Sequence, residues 1–420
     1  MSAARSHRVP ILPPSFLRPV SSVPDPAAAD SARLSHAAVR IDLDALRANA
    51  RYLAARASPA RLMAVVKADA YGHGARAVAR ALEADGTADA FAVATLPEAL
   101  ALRGDGIRGR VLVFAPPEAD WLGAYAAHGL DAAVSTDRAL DAVLAHRAAG
   151  GPRIDVHVKA DTGMHRLGFP PADVPRVVAH LRRADVPVMG VWTHLATSSD
   201  AFAREQSAAL AALAAEVPAV PRHIANSGAL LSGDGRLAGR DDSEWGPEWG
   251  PVPGETWVRA GLALYGVDPR GDGDGDGDDA APFDPALRPV LTLGARVVQV
   301  RTIAAGETVS YGRTWTAPRP TRIATVALGY ADGLPRALSN RGAMAIRGRR
   351  YPVAGVVCMD LTMLDLGPPG GPGDAVAPGD IAEAIGGAGP SAWEIARLCG
   401  TIPYEILARI GARVPRVAVG

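Results

Sequence analysis

The stretch Ala64-Val65-Val66-Lys67-Ala68-Asp69-Ala70-Tyr71-Gly72-His73-Gly74 joins a short apolar run to a lysine and then to a glycine-rich turn. Residues 62–66 predict a buried strand, and the alanine-rich segment after Gly74 predicts a helix. Lys67 therefore stands at the carboxyl end of a strand, where α/β proteins bind ligands. Apolar neighbours lower the pKa of a lysine toward the range in which its neutral amine is a nucleophile, so the position suits a Schiff base with an aldehyde. The alternative is a lysine that only reaches solvent, and the rest of the chain decides between the two.

Length and composition limit the classes of protein to which the chain can belong. Its 420 residues predict more than one domain, and 44 basic against 44 acidic residues leave no net charge. Since neither sign gathers into a patch, we expect a small-molecule ligand and not nucleic acid or a membrane. The two cysteines, Cys358 and Cys399, are too few for a disulfide framework, lack zinc-ligand spacing and favour a reducing cytoplasm. No apolar run is long enough to span a bilayer, and we expect residues 1–36 to form a disordered leader.

Apolar strand candidates recur along the first two thirds of the chain and alternate with segments of helical period. They cover residues 62–67, 90–95, 110–114, 131–134, 154–159, 186–194, 222–226 and 257–265. Before them, residues 39–43 are strand-like, and Asp44 is the expected N-cap of a helix that runs to about Ala57. Eight strand-helix units predict a (β/α)8 TIM-type barrel, although the same alternation also suits an open doubly wound sheet. Lys67, Lys159, His194, Asn226 and Ser227 all fall at strand ends, the face on which barrel enzymes keep their chemistry, and this favours the barrel over residues 37–284.

Two segments interrupt this pattern. Residues 232–256 lack an apolar period and predict a long surface loop. Residues 271–280 are a glycine-aspartate tract, whose first half matches a calcium-binding loop. Position twelve of such a loop would be Phe283 instead of glutamate, so we interpret the tract as an acidic linker and expect no metal.

After this linker, the pattern of apolar residues changes from a helical period to an alternating one. Residues 291–302, 322–328, 343–346, 351–357 and 362–366 predict strands, and residues 391–399 predict one helix. Residues 285–420 are therefore expected to form a mostly-β domain.

The stretch around Lys67 closely resembles the lysine motif of the alanine racemases, which hold pyridoxal 5'-phosphate (PLP) as a Schiff base. A related PLP-binding family without a second domain carries a similar lysine. The mostly-β domain favours the racemases, and the resemblance extends over residues 39–416. Relative to the usual racemase pattern, residues 232–256 are an insertion. Some PLP-dependent decarboxylases share this layout, but they resemble neither the motif at Tyr311 nor Arg259.

The resemblance implies the groups that would hold PLP. Lys67 would carry the cofactor and Arg259 would bind its ring nitrogen. Because a guanidinium keeps its proton, the ring would be a weaker electron sink and side reactions would be suppressed. The other implied cofactor residues are Tyr71, His194, Asn226, Ser227, Gly261, Leu262 and Tyr404.

The resemblance also implies how the substrate is bound and turned over. Racemisation needs a proton-transfer group on each face of Cα, and Lys67 and Tyr311 of the partner subunit would be that pair. Arg166 and Met359 would bind the substrate carboxylate, and Lys159 matches a lysine that is carbamylated in many members. Tyr330 and Asp360 match residues near the entrance. Taken alone, each of these motifs is also compatible with an ordinary turn or packing residue.

Together with the cysteine content, the resemblance implies a homodimeric, cytoplasmic alanine racemase that supplies D-alanine for cell-wall peptidoglycan. The alternatives are a racemase of broader specificity or for serine, and a PLP-binding protein without turnover. The mostly-β domain with Tyr311 argues against the last of these.

Overall fold

The computed structural model describes residues 34–198, 200–232, 257–272 and 284–420. These form two compact units, one of Ala45–Arg288 and one of Pro289–Gly420 together with the segment that ends at Asp44. Most of the expected leader, of the 232–256 insertion and of the 271–280 linker lies outside the described residues. Our interpretations of those three segments stay predictions.

The first unit is an eight-stranded parallel barrel, which confirms the predicted fold. Its strands are β2 Arg61–Val65, β3 Ala90–Val93, β4 Arg110–Val113, β5 Asp131–Val134, β6 Val156–Lys159, β7 Val188–Trp192, β8 Arg222–His223 and β9 Trp257–Ala260. Neighbours in sequence pair in parallel, and β9 pairs with β2. The Arg259 amide donates to the Ala225 carbonyl at 3.0 Å just beyond β8, and this contact closes the ring.

Helices follow the barrel strands as the sequence pattern predicts. They are α1 Leu43–Ala57, α2 Ala75–Asp85, α3 Leu96–Gly104, α4 Leu122–His128, α5 Asp137–Ala148, α6 Val174–Arg183, α7 Ala201–Glu216 and α8 Ser227–Leu231. Several begin at short polar residues, which satisfy their first amides; Thr136, for example, accepts from the Ala139 amide at 3.2 Å. In the part of the chain that the structure describes, none of the helices is both long and apolar enough to cross a membrane.

The second unit is mostly β, also as predicted. Its strands are β1 Ala37–Asp42, β10 Leu291–Ile303, β11 Thr308–Val309, β12 Trp315–Thr316, β13 Thr321–Val326, β14 Ala343–Ile346, β15 Arg349–Pro352, β16 Thr362–Gly367, β17 Ile381–Ile385 and β18 Arg416–Val419. Two helices, α9 Ala392–Cys399 and α10 Pro403–Ala408, pack against each other. The long strand β10 pairs with β1 and β17 through its first half and with β13 through its second, and the register shifts between Val297 and Gln299.

The amino-terminal strand belongs to this second unit. We expected the barrel domain to begin at residue 37, whereas β1 pairs antiparallel with β10 and parallel with β18. The expected N-cap of the first helix also differs, since α1 begins at Leu43 and Asp44 lies in its first turn. A carboxylate in that turn still interacts favourably with the helix dipole. The expected strand at 351–357 is observed as Arg349–Pro352.

Candidate active site

The polar residues predicted at strand ends gather at the carboxyl end of the barrel. Lys67 follows β2, Lys159 is the last residue of β6, His194 follows β7 and Asn226 follows β8. Arg259 lies in β9 and pairs with Asn226 across the closing seam. Lys67 and Lys159 are the only two lysines in the whole chain, so both of its primary amines on side chains lie at this face.

The segment after Lys67 forms one turn of left-handed helix. Ala68, Asp69, Ala70 and Tyr71 all have φ between 52° and 54°, a conformation that costs about 1–2 kcal/mol for each L-residue. The Ala70 amide donates to the Val66 carbonyl at 2.9 Å, and the Gly74 amide donates to the Asp69 carbonyl at 2.9 Å. The turn directs Tyr71 inward, where it is 7% exposed.

Lys67 is half-buried beside this turn. Burial lowers the pKa of Lys67 below its ordinary value, the Arg166 guanidinium lowers it further, and Glu98 acts in the opposite direction. The lysine nitrogen lies 5.9 Å from the centre of the Tyr71 ring. A larger fraction of this amine is therefore neutral than in a solvent-exposed lysine, as nucleophilic attack on an aldehyde requires.

Tyr71, Gly261 and Ser227 form a compact polar group. The Ser227 hydroxyl accepts from the amides of Gly261 at 2.8 Å and of Ala263 at 3.3 Å. A Cβ placed on Gly261 would stand 2.7 Å from the Tyr71 hydroxyl, so a larger residue there would displace the tyrosine. Hydroxyl groups and backbone amides with glycine-permitted access are the donors that hold phosphates, so the group fits the phosphate of PLP.

Arg259 and Lys159 lie against the ring of Trp192. The guanidinium carbon of Arg259 is 4.9 Å from the ring centre and the Lys159 nitrogen is 5.1 Å from it. Lys159 also donates to the Leu167 carbonyl at 2.8 Å. Burial, followed by Arg166 and Arg259, lowers the pKa of Lys159 to about 8, although Asp161 opposes the shift.

A buried chain of hydrogen bonds runs from Arg259 into the barrel. Arg259 donates to Nδ1 of His223 at 2.8 Å, His223 contacts His157 at 3.0 Å, and His157 contacts the Asp131 carboxylate at 3.2 Å. Because a guanidinium only donates, the order of donors is fixed from Arg259 through both imidazoles to the carboxylate. Arg110 pairs with Asp131 at 2.7 Å on the far side. Arg259 also donates to two carbonyls, those of Thr193 at 2.7 Å and Ile224 at 2.9 Å.

Positive charge exceeds negative charge at this face. Burial lowers the pKa of His194 most, and the cations Arg259, Arg166, Lys159 and Lys67 add to the shift in that order. Together they bring the pKa to about 3, so the imidazole is neutral. Among the described residues neither Lys67 nor Arg166 forms an ion pair, and Arg166 is exposed. The excess of cations fits an anionic ligand such as a phosphate or a carboxylate.

Three of the site residues predicted in the second unit line one cavity of that unit. Tyr311 follows β11, and Met359 and Asp360 precede β16. All three line a cavity of about 490 Å³, together with Ser310, Cys358 and Leu361. Tyr311 is 73% exposed and Met359 is 52% exposed. The structure thus brings the expected proton-transfer group and the expected carboxylate-binding residue of this unit to one surface.

Tyr330 stands next to that cavity, and the loop of Cys358, Met359 and Asp360 partly fixes its position. Its amide donates to the Cys358 carbonyl at 3.0 Å. Arg413 bonds both Asp360, at 2.8 Å, and Asp332, at 2.7 Å, and so ties the loop of Met359 to the turn of Tyr330. Tyr404 lies in α10, is half-buried and is not one of the residues that line this cavity.

Sequence reasoning missed several residues that shape the barrel site. Trp192, His223, His157 and Asp131 received no role, although they support Arg259 and Lys159. The alternation of side chains along a strand offered one signal, since His157 is two residues before Lys159 in β6 and must share its face. Trp192 and His223 stack with 9° between their ring planes and 5.6 Å between centres.

Comparison with known proteins identifies the family of this chain. The alanine racemase N-terminal domain matches residues 41–269, and the alanine racemase C-terminal domain matches residues 290–418. The chain is 42% identical to the alanine racemase of Nitratidesulfovibrio vulgaris, over 89% of this chain and 96% of that one. It is 37% identical to that of Chlorobaculum tepidum, over 90% and 94% of the two chains.

Solved structures give the same result. The alanine racemase of Streptomyces lavendulae aligns with a TM-score of 0.77 and 38% identity, and covers 92% of this chain and 97% of its own. That of Bartonella henselae, which contains covalently bound pyridoxal phosphate, aligns with a TM-score of 0.76 and 28% identity, over 92% and 100% of the two chains. The chain therefore belongs to the alanine racemase family and is an amino-acid racemase.

Proposed function

We propose that this protein interconverts L-alanine and D-alanine with PLP as its cofactor. The proposal rests on the surroundings of Lys67. This half-buried lysine has a lowered pKa and stands at a barrel strand end, beside a tyrosine, serine and glycine group that suits a phosphate. The excess of cations at the same face suits both the phosphate and a substrate carboxylate.

The barrel residues would share the work of holding the cofactor. Lys67 would form the Schiff base, and Tyr71, Ser227, Asn226 and the backbone at Gly261 and Leu262 would surround the phosphate. His194 would lie against the ring, and Tyr404 would complete the pocket. Arg259, whose position three partners fix, would donate to the ring nitrogen without giving up a proton. PLP, when bound, supplies the electron sink that acidifies the Cα proton.

Two groups would move the proton. Lys67 would serve the face from which the proton of D-alanine leaves, and Tyr311 of the partner subunit would serve the opposite face. The high exposure of Tyr311 and Met359 supports a partner, because large apolar side chains grouped on a surface mark an interaction site. A homodimer with shared sites follows from this proposal.

The remaining predicted residues would bind the substrate and limit its size. Arg166 would pair with the carboxylate, and the Met359 backbone would bond it from the other side. A carbamate on Lys159 would supply an anion beside Arg166 and Arg259, the two cations that act on Lys159 in the structure. Tyr330 and Asp360 would narrow the entrance, and Arg413 links their two segments through its bonds to Asp332 and Asp360.

Activity and cofactor attachment test the proposal together. Purified protein is incubated with PLP and one L-amino acid at a time, and the enantiomers are resolved by chromatography. We expect L-alanine to racemise fastest. Equal rates for several amino acids would favour a broad-specificity racemase, preference for serine would favour a serine racemase, and absence of turnover would favour a PLP-binding protein.

Borohydride reduction locates the cofactor. Because the chain has only two lysines, digestion yields two candidate peptides, and we expect the reduced label on the one that contains Lys67. A label on Lys159, or on neither lysine, contradicts the proposed attachment.

The cellular role is also a proposal. Supply of D-alanine for peptidoglycan predicts that the gene restores growth of a bacterial strain that requires D-alanine. We expect Lys67→Ala to abolish this rescue at equal protein level. Growth rescue by the Lys67→Ala variant would show that another activity is responsible.

A further inference from the structure

The left-handed turn beside Lys67 has a support that lies outside the turn. One carboxylate oxygen of Glu98 accepts from the Ala68 amide at 2.7 Å, the first residue of the turn. The other oxygen accepts from the amides of Ala94 at 2.8 Å and Thr95 at 3.0 Å. Glu98 thus joins the turn that follows β2 to the start of α3, which follows β3.

Only half of this arrangement is explained by helix capping. Glu98 is the third residue of α3, and with Thr95 it forms a capping box, which accounts for the oxygen that faces Ala94 and Thr95. The bond to Ala68 connects a second element and does nothing for α3. It is directed at the residue next to Lys67, where the backbone adopts a conformation that L-residues avoid.

We propose that Glu98 is a positioning residue for Lys67. Its carboxylate holds the first amide of the left-handed turn, which sets the direction in which the Lys67 side chain leaves the backbone, and it places one negative charge near the lysine nitrogen. The inference depends on the proposed function only for the chemical role of Lys67. The charged groups that act on Lys67 in the structure are Glu98 and Arg166.

Two substitutions separate position from charge. Glu98→Gln keeps the size but loses the charge, and its single carbonyl oxygen can accept for Ala68 or for the α3 amides but not for both sets. Glu98→Asp keeps the charge but is one methylene too short to bridge them. We expect both variants to racemise about ten- to a hundredfold more slowly, because a displaced catalytic amine loses its alignment with the reacting atom.

The titration of Lys67 gives a measurement that does not depend on turnover. Cofactor-free protein is ¹³C-methylated on its lysines, which gives only two side-chain signals, and Lys159→Arg assigns them. We expect Lys67 to titrate at lower pH in Glu98→Gln than in wild type, since a nearby negative charge has been removed. In Glu98→Asp it should titrate close to the wild-type pH.

A glycine substitution tests the role of the turn directly. Glycine adopts positive φ without strain. In Ala68→Gly the left-handed turn should therefore depend less on the hydrogen bond to Glu98. We expect Glu98→Gln to slow racemisation by a smaller factor in the Ala68→Gly background than in wild type. This loss of additivity measures the coupling between the two residues.

Glu394 provides the matched control. It is also the third residue of a helix with a capping box, formed with Ser391 in α9, and it lies in the second unit. We expect Glu394→Gln to leave racemisation within about twofold of wild type and Lys67 titration unchanged. The proposal is overturned if Glu98→Gln behaves like Glu394→Gln. It is also overturned if Glu98→Gln slows racemisation by the same factor in the Ala68→Gly background as in wild type. If wild-type protein carries no borohydride label on Lys67, the proposed function fails. The titration of Lys67 still tests whether Glu98 positions this lysine.

Discussion

At the scale of single residues, burial and hydrogen bonds fix the guanidinium of Arg259 in place. It is 3% exposed, and His223 and two backbone carbonyls accept from its guanidinium. Burial without partners would be expensive for this cation, but each of these bonds is charge-assisted. The arrangement fixes the plane of the guanidinium, as the proposed bond to a ring nitrogen requires.

Replacement of Arg259 by glutamate tests this electronic role. A carboxyl group can share a proton with the ring nitrogen, so the cofactor becomes a stronger electron sink. We expect Arg259→Glu to lower racemisation and to raise the fraction of turnovers that end in transamination to pyridoxamine phosphate. Chromatography of the cofactor after many turnovers measures that fraction.

Arg259→Lys is the comparison variant, since it keeps the charge but loses the planar fork. We expect slower racemisation without increased transamination. The electronic argument is wrong if Arg259→Glu slows the reaction and the transaminated fraction stays at the wild-type value.

Lys159 is the second residue with a chemical prediction. Carbamylation requires a neutral amine, and a pKa of about 8 makes the neutral form abundant only as the pH rises through that value. We therefore expect carbamate at Lys159 to increase between pH 7 and pH 9. ¹³C-bicarbonate and carbon NMR measure it, and Lys159→Arg should remove the signal. A carbamate signal that is absent throughout this range, or that persists in Lys159→Arg, contradicts the assignment.

At the scale of elements, side chains on four barrel strands build the support for Arg259. Asp131 opens β5, His157 lies in the middle of β6 and His223 ends β8. All three are buried, and each bonds the next. The chain ends at Arg110 in β4, so four strands contribute to the position of one guanidinium in β9.

The stability of the barrel should depend on this chain. His223→Phe keeps an aromatic ring against Trp192 but leaves one Arg259 nitrogen and His157 without their partners. We expect the free energy of unfolding to fall by about 1–3 kcal/mol, the usual effect of an unsatisfied buried polar group. Urea denaturation of cofactor-free protein measures it.

An exposed histidine serves as the control. His128 ends α4 at the surface, and we expect His128→Phe to change the free energy of unfolding by less than about 0.5 kcal/mol. Equal effects of the two substitutions would show that the buried chain contributes little.

The barrel strands were predictable because each is a short apolar run bounded by polar residues or glycine. Lys67, Lys159 and Asn226 were found for the same reason, since a strand end is visible in the sequence. The left-handed turn from Ala68 to Tyr71 was not predictable, because L-residues disfavour that conformation and only contacts such as Glu98 to Ala68 maintain it.

The pairing of β1 was hidden for a different reason. Residues 39–43 were identified as strand-like, but the partner of Val39 is Leu293, far along the chain. The hydrophobic period of a segment does not show which strands pair. The sequence alone therefore could not assign β1 to its unit, and the structure was needed. Strands β17 and β18, which complete the same sheet, also escaped prediction.

At the scale of the whole molecule, the proposed chemistry needs residues from both units of the chain. Lys67 belongs to the barrel unit and Tyr311 to the second unit. Tyr311, Tyr330, Met359 and Leu361 are the exposed large apolar residues around the second unit's cavity. A two-fold homodimer would cover such a surface with a self-complementary interface and would complete two identical sites.

Mixed dimers test whether Lys67 and Tyr311 of one site come from different chains. Lys67→Ala and Tyr311→Ala homodimers should each be nearly inactive. A hybrid dimer has one site with both substitutions and one site with neither, provided that each site takes one residue from each chain. Random mixing in equal amounts makes about half of the dimers hybrid, and each has one intact site of two, so activity should return to about a quarter of wild type.

The two variants are refolded together, subunit exchange is confirmed by mass, and racemisation is compared with that of the separate proteins. The mass measurement matters because unmixed homodimers would also give no recovery. If both residues of a site came from one chain, every site in a hybrid would lack one of them, since each chain carries one substitution. Confirmed exchange without any gain in activity would therefore place Lys67 and Tyr311 of each site on the same chain, whereas recovery to a quarter requires that the partner subunit supplies the tyrosine.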